Sequence, residues 1–192
     1  MSNEITVKPS CSLPDFYNFL ENNNFEICDK FLLDDYFFIP NNIDISNMNS
    51  RDILSKAIII RFIKRQNKEI KLIINKIKNF DNNGNILDQH SIECEILNIN
   101  DAKNFISSIG YTQIMNIKEN DVVYKKDDFQ LAIKNIENGD ILVEIETDYN
   151  NFDSIDKIIT EINKLKIPLD LSSLFIKKAE IELDKILKKG KF

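Results

Sequence analysis

Several residue types that mark other classes of protein are scarce or absent here. The 192 residues include no Trp, one His, four Gly and four Pro, which excludes a linker-rich or low-complexity chain. The three cysteines, Cys11, Cys28 and Cys94, are odd in number and lack metal-binding spacing, so we expect reduced thiols in a cytoplasmic protein. No apolar run approaches the ~18 residues that span a bilayer, and the first ten residues lack a secretion-signal pattern, so we expect no membrane partner.

The charge balance excludes another class. A formal net charge of −6 disfavours a nucleic-acid polymer as partner, because that affinity comes from a basic surface. Thirteen Phe residues and an apolar fraction of 43% can supply one sizeable core. We therefore expect a single domain over residues 1–192, as a monomer or a homodimer.

Alternation and capping signals predict a mixture of strands and helices. Residues 4–8 alternate strictly between polar and apolar, which is typical of a strand. Ser12 and Pro14 form a helix start, and that helix ends in the run of Asn residues 22–24. Further strands are predicted at 25–30, 32–39, 57–65, 71–78, 91–97, 113–118, 129–136 and 141–147, with a hairpin turn at 82–85. Asn100 or Asp101 is predicted to cap a helix that ends at Ile109, ahead of Gly110, and further helices are predicted at 152–165 and 172–189.

The two halves of the chain resemble each other. Each opens with an alternating acidic strand, continues into a short helix, and then has strands with an acidic residue near a tyrosine: Asp35 with Tyr36, and Asp121 with Tyr124. Such a repeat favours two halves that close one barrel, which also protects the strand edges. The prediction is an α+β fold: a closed antiparallel eight-stranded β-barrel over 1–149 with flanking helices, and C-terminal helices over 150–192.

Isolated charges of both signs lie on one face of several predicted strands. If these faces line the barrel interior, a bound polyphosphate with a hard divalent metal would bridge the two signs, because cations hold its oxygens and carboxylates hold the metal. The alternative is that the charged faces simply meet solvent. The residues concerned are Glu4, Thr6, Lys8, Arg61, Arg65, Lys76, Lys78, Glu93, Glu95, Lys118, Lys134, Glu144 and Glu146.

Eight short motifs follow one another along the chain. They are Glu4-Ile5-Thr6-Val7-Lys8, Asp34-Asp35-Tyr36-Phe37, Ala57-Ile58-Ile59-Ile60-Arg61, Lys76, Glu93-Cys94-Glu95, Lys118-Glu119-Asn120, Ile133-Lys134-Asn135-Ile136 and Glu144-Ile145-Glu146. In this order they resemble the motifs of the CYTH superfamily of triphosphate tunnel proteins, which includes class IV adenylate cyclases and thiamine triphosphatases.

The resemblance implies a role for each matching residue. Glu4, Glu144 and Glu146 would bind Mg²⁺ or Mn²⁺ and so act as the catalytic carboxylates. Lys8, Arg61, Lys76, Lys118 and Lys134 would contact the triphosphate, with Glu93 and Glu95 orienting these cations or assisting the metal. Phosphoryl transfer of this kind needs positioning and charge neutralisation more than a nucleophilic side chain.

Four positions depart from the family pattern. Thr6 replaces a metal-binding Glu, Ile59 and Asn120 replace arginines, and Lys134 replaces an aspartate. Two guanidinium groups that grip phosphate in a bidentate manner are therefore absent from these positions. We predict a metal-dependent triphosphatase. One alternative is a class IV-like adenylate cyclase, but the position of His90, far from the opening strand, argues against it. The other alternative is a weakened relative that binds a phosphorylated ligand without turnover.

Overall fold

The computed structural model describes residues 4–80, 86–146, 155–173 and 177–190, and its architecture is α+β. The predicted turn at 82–85 lies outside these residues. The strands are β1 (Glu4–Pro9), β2 (Glu26–Pro40), β3 (Ile58–Arg65), β4 (Lys68–Phe80), β5 (Ile86–Glu95), β6 (Tyr111–Lys126), β7 (Phe129–Ile136), β8 (Ile141–Glu146) and β9 (Leu169–Asp170). The helices are α1 (Leu13–Asn22), α2 (Ser50–Leu54), α3 (Ile99–Ser108), α4 (Ile155–Leu165) and α5 (Lys178–Lys188).

Local capping explains where the helices after β1 and β5 begin. Ser12 accepts a hydrogen bond from the backbone N–H of Asp15 at the start of α1, as the sequence predicted. For α3 the cap is Asn98 rather than the predicted Asn100 or Asp101, and its side chain accepts from the backbone N–H groups of both. Gly110 follows with a φ of 92°, a left-handed conformation that suits glycine.

The strands form one antiparallel sheet in the order β5-β4-β3-β2-β6-β7-β8-β1-β9. Its nine strands include a short one at Leu169–Asp170 that the sequence analysis did not predict. The closed eight-stranded barrel is not confirmed, since the pairings among the described residues run from β5 to β9 without a closing pair. Residues 25–30 and 32–39, predicted as separate strands, form the single strand β2, because no Gly, Pro or Asn interrupts them.

The chain divides into two compact units. Unit 1 contains Leu32–Lys118 and Ala179–Phe192, and unit 2 contains Ser2–Phe31 and Glu119–Lys178. The strand order within unit 1 is β5-β4-β3-β2, and within unit 2 it is β9-β1-β8-β7-β6. The two orders follow the internal repeat, because β1 with α1 in unit 2 takes the place of β5 with α3 in unit 1. The single-domain organisation stays a prediction.

Each unit has an apolar core on one face of its strands. In unit 2, Phe16 of α1 and Ile158 of α4 are fully buried against strand residues such as Ile133 and Ile145. In unit 1, Ile106 of α3 packs in a cluster with strand residues of β2 and β3. Because side chains alternate along a strand, the helices cover one face and leave the other face for polar side chains.

No helix within the described ranges is both long and apolar enough to cross a membrane. The three cysteines are free thiols: Cys28 and Cys94 are exposed, and Cys11 is partly buried.

Candidate functional site

The face of unit 2 that points away from its apolar core carries a cluster of charged side chains. The register pairs Asp121 of β6 with Lys134 of β7, and Lys134 with Leu142 of β8. Glu144 lies two residues beyond Leu142 on the same face of β8. Three neighbouring strands therefore bring an aspartate, a lysine and a glutamate together.

Lys134 lies between two carboxylates. Its Nζ donates to Asp121 Oδ2 at 3.3 Å and forms an ion pair with Glu144 Oε1 at 3.1 Å. The Asp121 side chain has no exposed surface, and those of Lys134 and Glu144 are 9% and 16% exposed. Water screens these ion pairs less than it screens pairs at the surface.

A second buried ion pair adjoins the first in sequence. Glu119 is two residues before Asp121 on the same face of β6, and it is fully buried. Lys178, the first residue of α5, donates to Glu119 Oε1. Within the described part of the chain, Oε2 of Glu119 and Oδ1 of Asp121 have no hydrogen-bond donor. This cluster of five residues, Glu119, Asp121, Lys134, Glu144 and Lys178, is called the unit 2 cluster below.

The unit 2 cluster shifts the protonation of its members. Burial raises the pKa of Asp121 to about 6, and Glu119 adds to this effect while Lys134 opposes it. Burial on its own lowers the pKa of Lys134, but the carboxylates of Glu144, Asp121 and Glu119 outweigh it and the pKa is raised. Lys134 is therefore a permanent cation, and Asp121 changes charge close to neutral pH.

Unit 1 contains a corresponding ion pair. Asp35 of β2 faces Arg61 of β3 in the register, as Asp121 faces Lys134 in unit 2. Nε of Arg61 donates to Oδ1 of Asp35 and Nη2 donates to Oδ2, both at 2.7 Å. The side chain of Asp35 is 2% exposed and that of Arg61 is 22% exposed. Asp35 thus holds the Arg61 guanidinium in a bidentate geometry that fixes its direction.

The predicted metal ligands lie at neighbouring positions in the β1–β8 ladder. Glu4 pairs with Glu146 and Thr6 pairs with Glu144 in the backbone register. Cross-strand neighbours of this kind have Cβ atoms about 5 Å apart. The side chains of Glu4 and Glu146 lie outside the described part of the structure, and Thr6 is 4% exposed.

Carboxylate oxygens at these positions are the donors that Mg²⁺ and Mn²⁺ prefer, so the donor set fits such an ion. Among the described residues, no three His, Cys, Asp or Glu side chains are grouped to hold a metal. The side chains of Glu4 and Glu146 are not among these residues, so the metal site stays a prediction.

The remaining predicted residues lie apart from the buried ion pairs. Lys8 in unit 2 is 43% exposed and binds Asp140 at 3.3 Å. In unit 1, Lys76 is partly buried, while Glu93 and Glu95 are exposed, and Glu93 accepts a hydrogen bond from Ser91.

Lys118 of β6 is exposed, whereas the next residue, Glu119, is buried. The side chain of Asn116, two residues earlier, binds Asp34 on the exposed side of the strand. Lys118 also lies close enough to Lys103 to lower the pKa of that ammonium, an effect smaller than that of burial. Its role in binding phosphate stays a prediction.

Sequence reasoning missed Glu119, Asp35, Asp121 and Lys178 as site residues. The internal repeat had already paired Asp35 with Asp121, and this was the signal that could have identified them. Strand pairing adds that each aspartate faces a cation on the following strand.

No family model matches the chain, and no curated protein matches it in sequence. Solved structures match along nearly its full length. The PH1819 protein of Pyrococcus horikoshii OT3 is 16% identical with a TM-score of 0.66, over 98% of this chain and 99% of that one. A candidate adenylate cyclase from Vibrio parahaemolyticus is 14% identical with a TM-score of 0.60, over 95% and 97%.

HpAC1 from Hippeastrum, an adenylyl cyclase candidate described as having a dominant triphosphatase activity, is 15% identical with a TM-score of 0.58, over 100% and 97%. At such identities these likenesses show the fold alone. They confirm that this chain has a divergent CYTH-like fold.

Proposed function

We propose that this chain with a CYTH-like fold is a metal-dependent phosphohydrolase that acts on a triphosphate. The supporting observation is the placement of Glu144: its carboxylate contacts the buried Lys134, and its strand position lies beside those of Glu4 and Glu146. A carboxylate can hold a divalent metal, and the permanent cation next to it can bind phosphate oxygens. The fold shared with HpAC1 and with the Vibrio parahaemolyticus protein is consistent with this chemistry.

In this proposal the chain's own residues bind and neutralise the substrate. Glu4, Glu144 and Glu146 would hold Mg²⁺ or Mn²⁺, which would supply charge neutralisation at the phosphate oxygens. Arg61, directed by Asp35, and the lysines at positions 8, 76, 118 and 134 bind the phosphates. No nucleophilic side chain is required, because water attacks the terminal phosphorus. If the barrel closes as predicted from the sequence, the metal-binding carboxylates and the phosphate-binding cations would line one tunnel. Closure of the barrel is therefore part of this proposal.

A second candidate is a binding protein without turnover. Thr6 occupies the ladder position opposite Glu144 where a metal-binding Glu is expected, and it is buried. A hydroxyl carries no charge, so it contributes less than a carboxylate to metal affinity. Arg61 is already neutralised by Asp35, which weakens its attraction for phosphate. These features favour retention of a phosphorylated ligand over catalysis.

An assay of three substrates distinguishes hydrolysis from cyclisation and from binding. The purified chain is incubated with inorganic triphosphate, ATP and thiamine triphosphate, each with Mg²⁺ or Mn²⁺. Released phosphate, pyrophosphate and cyclic AMP are measured. We expect metal-dependent phosphate release, abolished by chelation. Cyclic AMP with pyrophosphate would instead support the cyclase alternative.

Two variants test whether triphosphate turnover depends on the proposed metal-binding carboxylates. Glu144→Gln should lower turnover at least about 100-fold, because it removes a charge from the metal-binding set. Glu137→Gln changes an exposed carboxyl in the β7–β8 turn and should leave turnover unchanged. If no substrate is turned over but inorganic triphosphate raises the melting temperature, the binding candidate is correct. If inorganic triphosphate produces no thermal shift either, both candidates are wrong.

A further inference from the structure

Two buried carboxylate oxygens of the unit 2 cluster lack a hydrogen-bond donor among the described residues. Oε2 of Glu119 and Oδ1 of Asp121 have no donor within the described part of the chain, and neither side chain has exposed surface. A buried acceptor without a donor costs about 1–3 kcal/mol, and more when it is charged. Both oxygens lie on the same face of β6, two residues apart. Two such acceptors on one face of a strand can both accept from one group that carries several hydrogen-bond donors.

The charge of the cluster indicates the sign of that group. Glu119, Asp121 and Glu144 supply three negative charges when ionised, and Lys134 and Lys178 supply two positive charges, so one negative charge is in excess among these five residues. The other oxygen of each carboxylate already accepts from a lysine ammonium. The geometry points to a binding site for an organic cation with N–H donors, a primary ammonium or a guanidinium group, held by Glu119 and Asp121.

The alternation of β6 supports this assignment independently. The resemblance described above would place a phosphate-gripping Lys-x-Arg pattern on this strand. The buried positions, however, are Glu119 and Asp121, whereas Lys118 and Asn120 are exposed. At these two positions the strand presents acceptors to the polar face, and acceptors bind N–H donors.

A metal ion is less suited to the same place. No group of three metal-binding side chains occurs among the described residues, although Glu119, Asp121 and Glu144 belong to one cluster. The ammonium groups of Lys178 and Lys134 already lie against Glu119 and Asp121, and they repel a divalent ion about twice as strongly as a singly charged group. An ammonium or guanidinium group brings one positive charge and directs its donors to the two oxygens.

The site should also depend on pH. The groups that face Asp121 are Glu119 on its own strand, Lys134 on β7 and Lys178 on α5, with Glu144 on β8 bound to Lys134. Asp121 has a pKa of about 6, so it is ionised at pH 8 and mostly protonated at pH 5. A bound cation prefers the ionised form, and its affinity should fall as the pH falls.

The test measures the melting temperature of the full chain with small cations at constant ionic strength and without phosphate. Methylammonium and agmatine carry N–H donors, and tetramethylammonium carries the same type of charge without them. We expect the first two to raise the melting temperature at pH 8 and tetramethylammonium to leave it unchanged. The shift should shrink several-fold between pH 8 and pH 5.

A conservative variant and a matched control complete the experiment. Glu119→Gln should remove the response to methylammonium, while Glu137→Gln, which alters an exposed carboxyl, should retain it. If Glu119→Gln does not fold, the pH dependence of the original chain decides. An equal shift with tetramethylammonium, no shift with any amine, or a shift produced by Mg²⁺ in place of the amines would overturn the proposal. Because no turnover is measured, failure here is separate from failure of the triphosphate activity.

Discussion

Among single residues, Asp35 has the clearest energetic role. Its side chain is 2% exposed and holds Arg61 through two hydrogen bonds. Asp35→Ala would leave a largely buried guanidinium without its counter-ion, and removing one partner of a buried pair costs about 3 kcal/mol or more. We expect a loss of about 3 kcal/mol in the free energy of unfolding, measured by urea denaturation.

A surface ion pair in the same unit provides the control. Lys64 and Glu69 lie 4.0 Å apart with side chains 56% and 47% exposed. Lys64→Ala removes this pair and should cost no more than about 0.5 kcal/mol, because water screens such pairs. Equal losses for the two variants would show that burial of the Asp35 pair contributes nothing.

Asp121 gives a prediction about pH. Its pKa in the folded state is about 6, raised from 3.8 chiefly by burial. The folded chain therefore holds this proton more tightly than the unfolded chain, and the resulting stability is complete below about pH 4 and lost as the pH rises through 6. Asp121→Asn cannot ionise, so its stability relative to the original chain should increase between pH 4 and pH 7. Urea midpoints across this range measure the difference.

The comparison with an exposed aspartate sharpens that experiment. Asp128 lies in the turn before β7 and is exposed. Asp128→Asn removes an exposed carboxyl and serves as the matched control. If Asp121→Asn gives a profile parallel to that of the original chain, the proton on Asp121 does not influence folding.

Among the helices, α3 depends on one capping side chain. Asn98 Oδ1 accepts from the backbone N–H groups of Asn100 at 2.8 Å and Asp101 at 3.3 Å. Asn98→Ala removes both bonds and should destabilise the protein by about 1 kcal/mol, as other N-cap substitutions do. Asn100→Ala, inside the first turn, keeps the cap and should have little effect on the same thermal or urea measurement. Similar losses for both variants would contradict the assigned cap.

The strand β6 shows where sequence reasoning stops at the scale of elements. The predicted strand ended at Lys118, because the run Glu119-Asn120-Asp121 is polar and resembles a turn. The observed strand continues to Lys126, and Glu119 and Asp121 become buried. Their burial depends on Lys134 from β7 and on Lys178 from α5. Lys178 lies 59 residues after Glu119, and no local sequence pattern predicts a contact over that separation.

For the whole molecule, the sequence predicted the α+β class and the divergent CYTH-like fold. Strict alternation in residues 4–8 identified β1, and the repeat of the two halves matches the strand order within each unit. The sequence did not predict β9, since two residues at Leu169–Asp170 give no periodic signal. The site residues that it missed are those whose partners come from other strands or from a distant helix. Alternation identifies which residues share a face, but only pairing decides which of them touch.

The net charge of the molecule leads to the last prediction. At −6 the chain repels polyanions at long range, so binding of inorganic triphosphate must come from local cations and a metal ion. We expect no retention of duplex DNA at about 0.15 M salt, where screening acts within about 8 Å. Triphosphate should raise the melting temperature in the presence of Mg²⁺ and much less in the presence of a chelator, because the metal neutralises the ligand before it meets an acidic surface.

The dependence on salt separates this behaviour from that of a nucleic-acid binder. Between about 50 and 200 mM salt, a protein that neutralises many DNA phosphates loses on the order of 1,000-fold or more in affinity. Here added salt screens the repulsion between triphosphate and the acidic chain as well as the attraction at the site. The apparent affinity for triphosphate should therefore change by less than about tenfold over this range. Titrations at both salt concentrations measure it. A steep loss of affinity with salt, together with retention of DNA, would show that a basic surface dominates binding and would contradict the view of a local, metal-assisted site.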